Sequence, residues 1–376
     1  MAPAPDVIVV GAGLVGSMTA LGLADAGLRV TLIESHFPGG GSTGAAMGHI
    51  VAMDDSPQQL AFCAYSRARW HQLAATLPED GEHDRCGTIW IAADDAELLA
   101  ARARIAGYAG HGVAADLVDQ RSLYQLEPQL RPGLAGGLLV PEDAVCYPPA
   151  IARALTERAA TRGAVVRLRA RVESLRPGGV CLADGDTIAA GAVVVAAGVA
   201  SPALVAGLPI VPRKGHLVIS DRRPGLIRHQ LVELGYLHSA HSFGAASVAF
   251  NVQPRRTGQV LIGSSRELVG FDASINRALL GAMLERAAAF LPGLRNVRAV
   301  RSWTGFRPAT PDKLPLIGAW PALDGVWIAA GHEGLGITMA TGTADIIVAG
   351  ILGTTSPVDP EPFRPDRAMP DMALAA

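Results

Sequence analysis

The sequence predicts an α/β (α+β) fold in which a parallel-sheet domain carries an inserted, mixed or antiparallel β-sheet. Short β-branched runs such as Val7–Val10 end in glycine-rich turns, which is typical of buried parallel strands. Longer strand-like segments separated by turn residues occupy residues 214–263. With 376 residues, 49% of them hydrophobic and 18% charged, the chain can bury the cores of two interleaved domains.

The elements follow in order along the chain. A first strand at Val7–Val10, a helix over Ser17–Ala26 and a returning strand at Arg29–Glu34 form a βαβ unit. Further helices are predicted over Gln58–Thr76, Asp95–Gly107, Pro148–Arg162, Ile275–Phe290 and Ile337–Leu352. Further strands are predicted at Gly87–Ala92, Ala164–Leu168, Val193–Gly198, His216–Ser220, Ser247–Val252, Gln259–Ile262 and Val326–Ala330. The proline-rich segment after Ser356 is expected to be poorly ordered.

Composition excludes several classes of function. The net charge of −2 gives no electrostatic footprint for nucleic acid or anionic lipid. Cys63, Cys86, Cys146 and Cys181 are widely spaced, which predicts reduced thiols and neither a metal site nor a disulfide framework. No apolar run reaches the roughly 18 residues of a membrane span, and no signal peptide precedes the first strand. We expect a soluble, cytoplasmic protein, with peripheral association at the inner membrane through a partner as an open alternative.

The turn after the first strand carries a nucleotide-binding motif. Residues 11–16, GAGLVG, fit GxGxxG, in which small residues let the backbone approach a pyrophosphate at a helix N-terminus. Glu34 ends the second strand 21 residues after Gly13, where a carboxylate can accept hydrogen bonds from ribose hydroxyls. The motif therefore predicts a Rossmann-like dinucleotide site, but it does not by itself choose FAD over NAD.

Two later glycine clusters favour a flavin. Residues 39–48, GGGSTGAAMG, follow Glu34 directly and suit a bed for pyrophosphate and flavin; a flexible connector is the alternative. His49 would lie close to the ring, in a structural or a catalytic role. Residues 331–338, GHEGLGIT, join a buried strand to a helix whose N-terminus would stabilise negative charge on the reduced ring. There His332 either orients against the flavin or bonds the backbone, and we expect Glu333 in a solvated turn.

The stretch GFRPATPD, residues 305–312, carries the substrate prediction. Arg307 stands among apolar and small residues, and two prolines stiffen the turn after it. A fixed guanidinium is what bidentate recognition of a carboxylate needs. A surface arginine on a loop is the alternative.

Together these motifs resemble the D-amino-acid oxidase family of flavoproteins, which includes glycine oxidase and sarcosine oxidase, from about Val7 to Gly353. The resemblance implies a glycine-oxidase-like fold and an arginine, here Arg307, that binds the substrate carboxylate. FAD is expected to be non-covalent, because no cysteine beyond Cys181 matches the one that links sarcosine oxidases to flavin. In glycine oxidase a second arginine follows the late histidine, whereas residues 333–335 are Glu-Gly-Leu here, so the substrate pocket must differ.

Three stretches resemble bacterial D-hydroxyproline dehydrogenases more closely: Lys214–Ile219, His229–His241 and Ser247–Glu267. This resemblance implies cis-4-hydroxy-D-proline as the substrate. It makes Tyr236, His238 and Asn251 candidates for the polar lining of the pocket, with ordinary strand or loop residues as the alternative for Tyr236 and His238.

The residues expected to act at the site divide into two sets. The catalytic candidates are Arg307, Tyr236, His332, His49, Asn251 and His238. The residues expected to hold FAD are Gly11, Ala12, Gly13, Leu14, Val15, Gly16, Glu34, Ser35, Ser42, Thr43, Ala46, Met47, Gly48, Val172, Ala197, Gly198, Arg307, Gly331, Glu333, Gly334, Leu335, Gly336, Ile337 and Thr338. No metal is expected.

The resemblance predicts a reaction and a division into domains. Hydride would pass from Cα of a small amino or imino acid to flavin N5, leaving an imine, with no protein base required. The alternatives are an oxygen-using glycine or D-amino-acid oxidase and an FAD subunit of a heteromeric dehydrogenase; the acceptor (quinone, electron-transfer protein or oxygen) and the homo- or hetero-oligomeric state stay open. We expect an FAD-binding domain from residues 1–80, 145–212 and 300–356, a substrate domain from residues 81–144 and 213–299, and a tail at 357–376.

Overall fold

The computed structural model describes residues 4–53, 55–235 and 246–370. Its helices are, in chain order, α1 (Leu14–Asp25), α2 (Ser42–Ala45), α3 (Pro57–Leu73), α4 (Asp95–Gly110), α5 (Gln120–Leu126), α6 (Pro148–Thr161), α7 (Ser201–Leu204), α8 (Arg277–Phe290) and α9 (Ala340–Leu352). Its strands are β1 (Val7–Val10), β2 (Val30–Glu34), β3 (His49–Ile50), β4 (Thr88–Ala92), β5 (Asp116–Asp119), β6 (Gly136–Val140), β7 (Ala144–Val145), β8 (Val165–Leu168), β9 (Val172–Arg176), β10 (Gly179–Leu182), β11 (Thr187–Ala189), β12 (Ala192–Val195), β13 (Val211–Ser220), β14 (Gln230–Glu233), β15 (Ser247–Pro254), β16 (Val260–Arg266), β17 (Ala299–Ala309), β18 (Leu316–Ala319) and β19 (Val326–Ala330).

The first of two large sheets has six strands in the order β18-β19-β12-β1-β2-β8. Strand β1 lies at its centre, pairing in parallel with β2 and β12, and all four of its residues are buried. Helices α1, α6 and α9 cover one face, and the three-stranded sheet β9-β10-β11 packs against the other. Burial on both faces is why the strand is a continuous β-branched run, as the sequence predicts.

The second large sheet has eight strands in the order β17-β13-β16-β15-β14-β4-β6-β5. Its pairs are antiparallel except that of β4 with β14, so the predicted mixed sheet is confirmed. Helix α8 covers one face, where Phe250 stacks on Phe290 with ring centroids 4.6 Å apart. Because side chains alternate along a strand, Asn251 and Gln253 point to the opposite face.

Strand β17 joins the two large sheets to each other. It pairs with β13 along its whole length. On the other side, Ser42 Oγ donates to the carbonyl of Phe306 at 2.6 Å, and Trp303 Nε1 donates to the carbonyl of Ala45 at 3.2 Å. Residues 299–309 are thus hydrogen-bonded to the eight-stranded sheet and also contact the glycine-rich loop after β2.

The predicted start of the last helix is wrong. The last helix begins at Ala340 and not at Ile337, because Thr338 is fixed in a turn by hydrogen bonds to the backbone of His49 and Val51.

The expectation that the segment after Ser356 is poorly ordered is also wrong, because this segment is packed as far as residue 370. Phe363 is buried against Phe62, with ring centroids 4.5 Å apart, and Arg367 makes two hydrogen bonds to Asp312. A single buried aromatic and one bidentate ion pair order a stretch whose proline content suggested disorder.

Within the described ranges, no helix has both the length and the hydropathy needed to cross a bilayer.

Candidate active site

A cavity of about 720 Å³, here called the cofactor cavity, lies between the two large sheets beyond the carboxyl end of β1. This volume is within the range of about 300–1,000 Å³ typical of cofactor and ligand sites. The residues singled out from the sequence that line it are Gly11, Gly13, Val15, Glu34, Ser35, Ser42, Thr43, Ala46, Met47, Gly48, His49, Val172, Ala197, Gly198, Asn251, Arg307, His332, Glu333, Gly334, Gly336 and Ile337. Three glycine-rich segments distant in sequence thus converge on one space.

The turn from β1 into α1 is built so that only glycine fits at two positions. Gly11 has φ +103°, and a Cβ there would overlap the carbonyl oxygen of Ala196. A Cβ on Gly16 would overlap the carbonyl oxygen of Gly11. Gly13, in contrast, has φ −65° and faces the cavity at the start of α1. Its missing side chain leaves the first turn of the helix open to an anionic group.

Glu34 is held at the end of β2 by its neighbours. Its Oε2 accepts from the N–H of Ala12 at 2.8 Å, and its Oε1 accepts from the N–H of His36 at 2.9 Å and from Ser35 Oγ at 3.1 Å. A carboxylate has about four lone-pair sites, so acceptor capacity remains on the side that faces the cavity. About one further hydrogen bond, such as one from a ribose hydroxyl, can therefore be accepted there.

The glycine-rich loop after β2 is fastened at both ends. The N–H of Gly39 donates to the carbonyl of Ala12 at 2.8 Å, and Thr43 Oγ1 accepts from the N–H of Leu14 at 3.0 Å. At Gly48, φ +110° and the close carbonyl of Cys146 again require glycine. The loop is therefore a fixed wall of the cavity and not a free connector.

Arg307 points into the cofactor cavity from β17. Its Nη1 donates to the carbonyl of Ser265 at 3.1 Å, and it lies beside Gly215, where a side chain would overlap the guanidinium. The strand pairing sets Arg307 opposite Arg213. The guanidinium is thus part of the cavity lining rather than a surface loop, which is the position that the carboxylate-binding prediction requires.

Two histidines of the lining, His49 and His332, are held neutral. Burial, together with the nearby Arg307, lowers the pKa of His49 to about 4. Burial lowers the pKa of His332 to about 3, and its Nε2 lies 2.9 Å from Thr343 Oγ1. Neither ring carries a charge near pH 7, so neither adds to the positive charge of Arg307.

Glu333 departs from the expected solvated turn. It adopts φ +48°, its side chain is 19% exposed, and it forms an ion pair with Arg213 at 3.5 Å. Burial raises the pKa of Glu333, but Arg307, Arg266 and Arg213 outweigh burial, so the net shift is downward. Glu333 is therefore an ionised member of the cavity wall.

A second, smaller cavity of about 50 Å³ adjoins the first, and we call it the inner chamber. His49, Asn251, His332, Glu333 and Gly334 line both cavities and so form the boundary between them. Sequence reasoning missed the other polar residues of the chamber, which are Asp55, Gln59, Arg213, Gln230, Arg266 and Lys313. The available signal was their polarity within otherwise apolar strands and helices, since Gln59, Arg213, Gln230 and Arg266 are all buried.

Other predicted residues lie outside the lining of the cofactor cavity. Ala12, Leu14, Gly16, Gly331 and Thr338 support it from behind, and Leu335 lines the inner chamber. Tyr236 and His238 lie outside the described residues. The start of α9, expected to face a flavin, is not in the lining; the turn residues Gly334, Gly336 and Ile337 take its place.

Comparison with known proteins identifies the family. The family model described as FAD dependent oxidoreductase (DAO) matches residues 6–349. Glycine oxidase of Pseudomonas aeruginosa is 29% identical, over 96% of this chain and 98% of its own length. D-amino acid dehydrogenase 2 of Ralstonia nicotianae is 28% identical, over 91% and 95% respectively. The crystal structure of glycine oxidase from Geobacillus kaustophilus superposes with a TM-score of 0.87 at 26% identity, covering 97% of this chain and 99% of that one. The chain therefore belongs to this family of FAD-dependent oxidoreductases, and FAD is its cofactor.

Proposed function

We propose that this protein oxidises a small amino or imino acid at the carbon that bears the nitrogen, using non-covalently bound FAD. The observation that carries the proposal is the position of Arg307, whose guanidinium lies in the wall of the cavity that the three glycine-rich segments enclose. A cation so placed suits a substrate that carries a carboxylate. The names of the relatives, glycine oxidase and D-amino acid dehydrogenase, agree with that class of substrate.

The residues of the cavity fit FAD. Gly13 leaves room for a pyrophosphate at the start of α1, and Glu34 offers acceptor oxygens for ribose hydroxyls. Met47, Gly48 and the turn at Gly334–Ile337 would border the flavin. Among the described residues no cysteine belongs to the lining, which supports non-covalent binding. When bound, FAD supplies the acceptor for a hydride and its two electrons.

Arg307 would orient the substrate through its carboxylate. Arginine binds a carboxylate through two parallel N–H···O bonds, which fixes the plane of the group as well as its position. Because Ser265 already holds Nη1, the guanidinium does not have to be ordered when substrate binds. Substrate orientation of this kind accounts for much of the rate that an enzyme of this class needs.

Proton transfer would be left to the substrate and solvent. The pKa values of His49 and His332, about 4 and about 3, keep both rings neutral at pH 7, and neutral rings do not repel an incoming amine. Only a deprotonated amine has the lone pair that pushes hydride away from Cα. The rate should therefore rise with pH until the bound amine has lost its proton.

The finer assignment is to D-hydroxyproline, with cis-4-hydroxy-D-proline as the best candidate. The resemblance over Lys214–Ile219 and Ser247–Glu267 supports it, and so does the position of Asn251 in the cavity wall. The second candidate is an oxygen-using oxidase of glycine or another D-amino acid. It is favoured by the likeness to glycine oxidase over nearly the full chain.

Anaerobic bleaching of the flavin tests the proposal. The FAD-loaded protein is mixed with a panel of D-, L- and cyclic amino acids, and the loss of flavin absorbance is followed. Cis-4-hydroxy-D-proline should bleach it fastest; bleaching by glycine or D-alanine alone would discard the hydroxyproline assignment. A protein that no amino acid bleaches would overturn the proposal itself. Hydrogen peroxide formed in air then separates an oxidase from a dehydrogenase that reduces a dye or quinone.

A further inference from the structure

The inner chamber contains buried hydrogen-bonding atoms that the protein leaves unsatisfied. Gln230 and Asn251 are 2% and 4% exposed, and both line the chamber. Among the described residues, neither Gln230 Oε1 nor Asn251 Oδ1 has a hydrogen-bond partner, and the same is true of His49 Nε2. An unsatisfied buried polar atom destabilises a fold, so such a cluster is expected where a ligand completes it.

The eight-stranded sheet places these side chains on one face. Val232 pairs with Asn251 and Leu231 with Val252 across β14 and β15. Leu231 and Val252 therefore point towards α8 and its apolar cluster. Gln230 and Asn251 point the other way, into the chamber, because side chains alternate along each strand. Apolar residues would suffice on a face that had only to pack.

The charges around the chamber limit what it can receive. Three cations, Arg213, Arg266 and Lys313, line it together with two carboxylates, Asp55 and Glu333. Because these charges largely offset one another, the chamber has little surplus charge with which to bind a second ammonium or a second carboxylate of the substrate. A neutral hydroxyl group suits such a site, since it donates to an amide oxygen and can accept from a cation or amide N–H.

We propose that the inner chamber is a subsite for a hydroxyl group on the substrate, and that Gln230 and Asn251 bind it. The inference rests on the proposed function, and it makes the enzyme selective for small amino or imino acids hydroxylated on the side chain or ring. His49 and Asn251 line both cavities, so the chamber lies directly beside the cofactor cavity, within the span of one small molecule. Its volume of about 50 Å³ holds a few water-sized groups.

The test compares substrate pairs that differ in one hydroxyl. For the FAD-loaded enzyme with an artificial acceptor, kcat/KM is measured for cis- and trans-4-hydroxy-D-proline against D-proline, and for D-serine against D-alanine. Anaerobic spectral titration gives the dissociation constants of the same compounds. In at least one pair the hydroxylated member should be preferred by about tenfold or more, as one or two hydrogen bonds allow.

Variants then show which residues cause the preference for the hydroxylated compound. Asn251→Leu and Gln230→Leu should each remove most of it, so that the ratio of kcat/KM for the hydroxylated compound to kcat/KM for the unsubstituted one falls towards one. If the leucine variants lose FAD or have a lower melting temperature than the wild type, the milder changes Asn251→Ser and Gln230→Asn are tested in their place. Gln120→Leu is the matched control, since Gln120 bonds the carbonyl of Leu134 away from both cavities and should leave the preference unchanged.

The outcomes separate this inference from the proposed function. If no amino acid reduces the flavin, the proposed function fails. If amino acids reduce it, but the wild-type enzyme shows no preference in any pair, the chamber is not a hydroxyl subsite. The hydroxyl subsite is equally excluded if the Asn251 and Gln230 variants keep the wild-type preference. In both of these cases the amino-acid oxidation stands.

Discussion

Nη1 of Arg307 donates a hydrogen bond to the backbone carbonyl of Ser265 at 3.1 Å. The side chain of Ser265 lies 2.9 Å from Nδ1 of His216, whose Nε2 accepts from the N–H of Asn276 at 3.0 Å. Since Nε2 is the acceptor, Nδ1 carries the proton, and His216 is neutral. The neutral, buried His216 therefore holds Ser265 in place, and the backbone carbonyl of Ser265 helps to orient the guanidinium proposed to bind substrate.

Replacing Arg307 tests that orientation. Arg307→Lys keeps the charge but loses the planar pair of donors, so KM for carboxylate substrates should rise by about tenfold to a hundredfold, and Arg307→Ala should raise it further. Steady-state kinetics measure both. Arg301→Ala, on the same strand but exposed, is the control. An Arg307→Lys variant with the KM of the wild type would remove Arg307 from this role.

Alanine substitutions at two glycines of the first turn should distinguish an effect on cofactor binding from an effect on folding. Gly13→Ala is compatible with φ −65° and should leave the apoprotein folded while weakening FAD binding by at least about tenfold, because the new methyl group would crowd Thr43 Oγ1 in the cavity lining at the start of α1. Gly16→Ala overlaps the carbonyl of Gly11 and should lower the melting temperature of the apoprotein itself. Fluorescence titration with FAD and thermal melts check the pair. Equal FAD affinity in Gly13→Ala and wild type would argue against pyrophosphate binding at this turn.

The buried histidines predict that stability falls in mild acid. Unfolded histidine binds a proton near pH 6.5, whereas in the folded protein the pKa of His332 is about 3 and that of His49 about 4. Between pH 6.5 and pH 4 unfolding therefore takes up protons, and each histidine lowers the free energy of unfolding by about 1.4 kcal/mol per pH unit as the pH falls.

His332→Gln keeps a side chain that can hydrogen-bond to Thr343 but that cannot take up a proton in this pH range. Urea unfolding of the FAD-saturated variant should consequently show a shallower loss of stability from pH 6.5 to pH 4.5 than the wild type. Identical slopes would mean that His332 is already protonated in the folded protein or that it is not buried.

The C-terminal segment should contribute to stability although it lies far from the cofactor cavity. Phe363 fills a buried position against Phe62, so Phe363→Ala should destabilise the fold by about 3–5 kcal/mol. The apparent melting temperature measures this, with the exposed Arg364→Ala as control. If Phe363→Ala melts with the wild type, the segment is not docked in solution.

Local patterns were enough to predict some parts of the molecule and not others. The strands at Val7–Val10 and Val326–Ala330 follow directly from buried β-branched runs, and the converging glycine turns follow from their places after such strands. The inner chamber could not be predicted in the same way, because Gln59, Gln230 and Arg266 come from three elements that only the tertiary fold brings together. Polar residues inside buried strands were its one sequence signal.

The predictions for the start of the last helix and for the C-terminal segment were wrong for a related reason. A hydrogen bond from Thr338 to His49, nearly three hundred residues away in the chain, holds the turn that delays the helix. The packing of the C-terminal segment likewise depends on the contact of Phe363 with Phe62. In both cases a distant partner overrides what propensity and composition suggest locally.

In β17, Phe306 offers its carbonyl to the glycine-rich loop, and the next residue, Arg307, enters the cavity. Adjacent positions on a hydrogen-bonded strand cannot shift independently, because the strand moves as one body in a close-packed interior. Directed evolution that tightens cofactor retention through this loop should therefore change substrate selectivity as a side effect. A library designed to alter only one of these two properties would do better to leave Ser42 untouched.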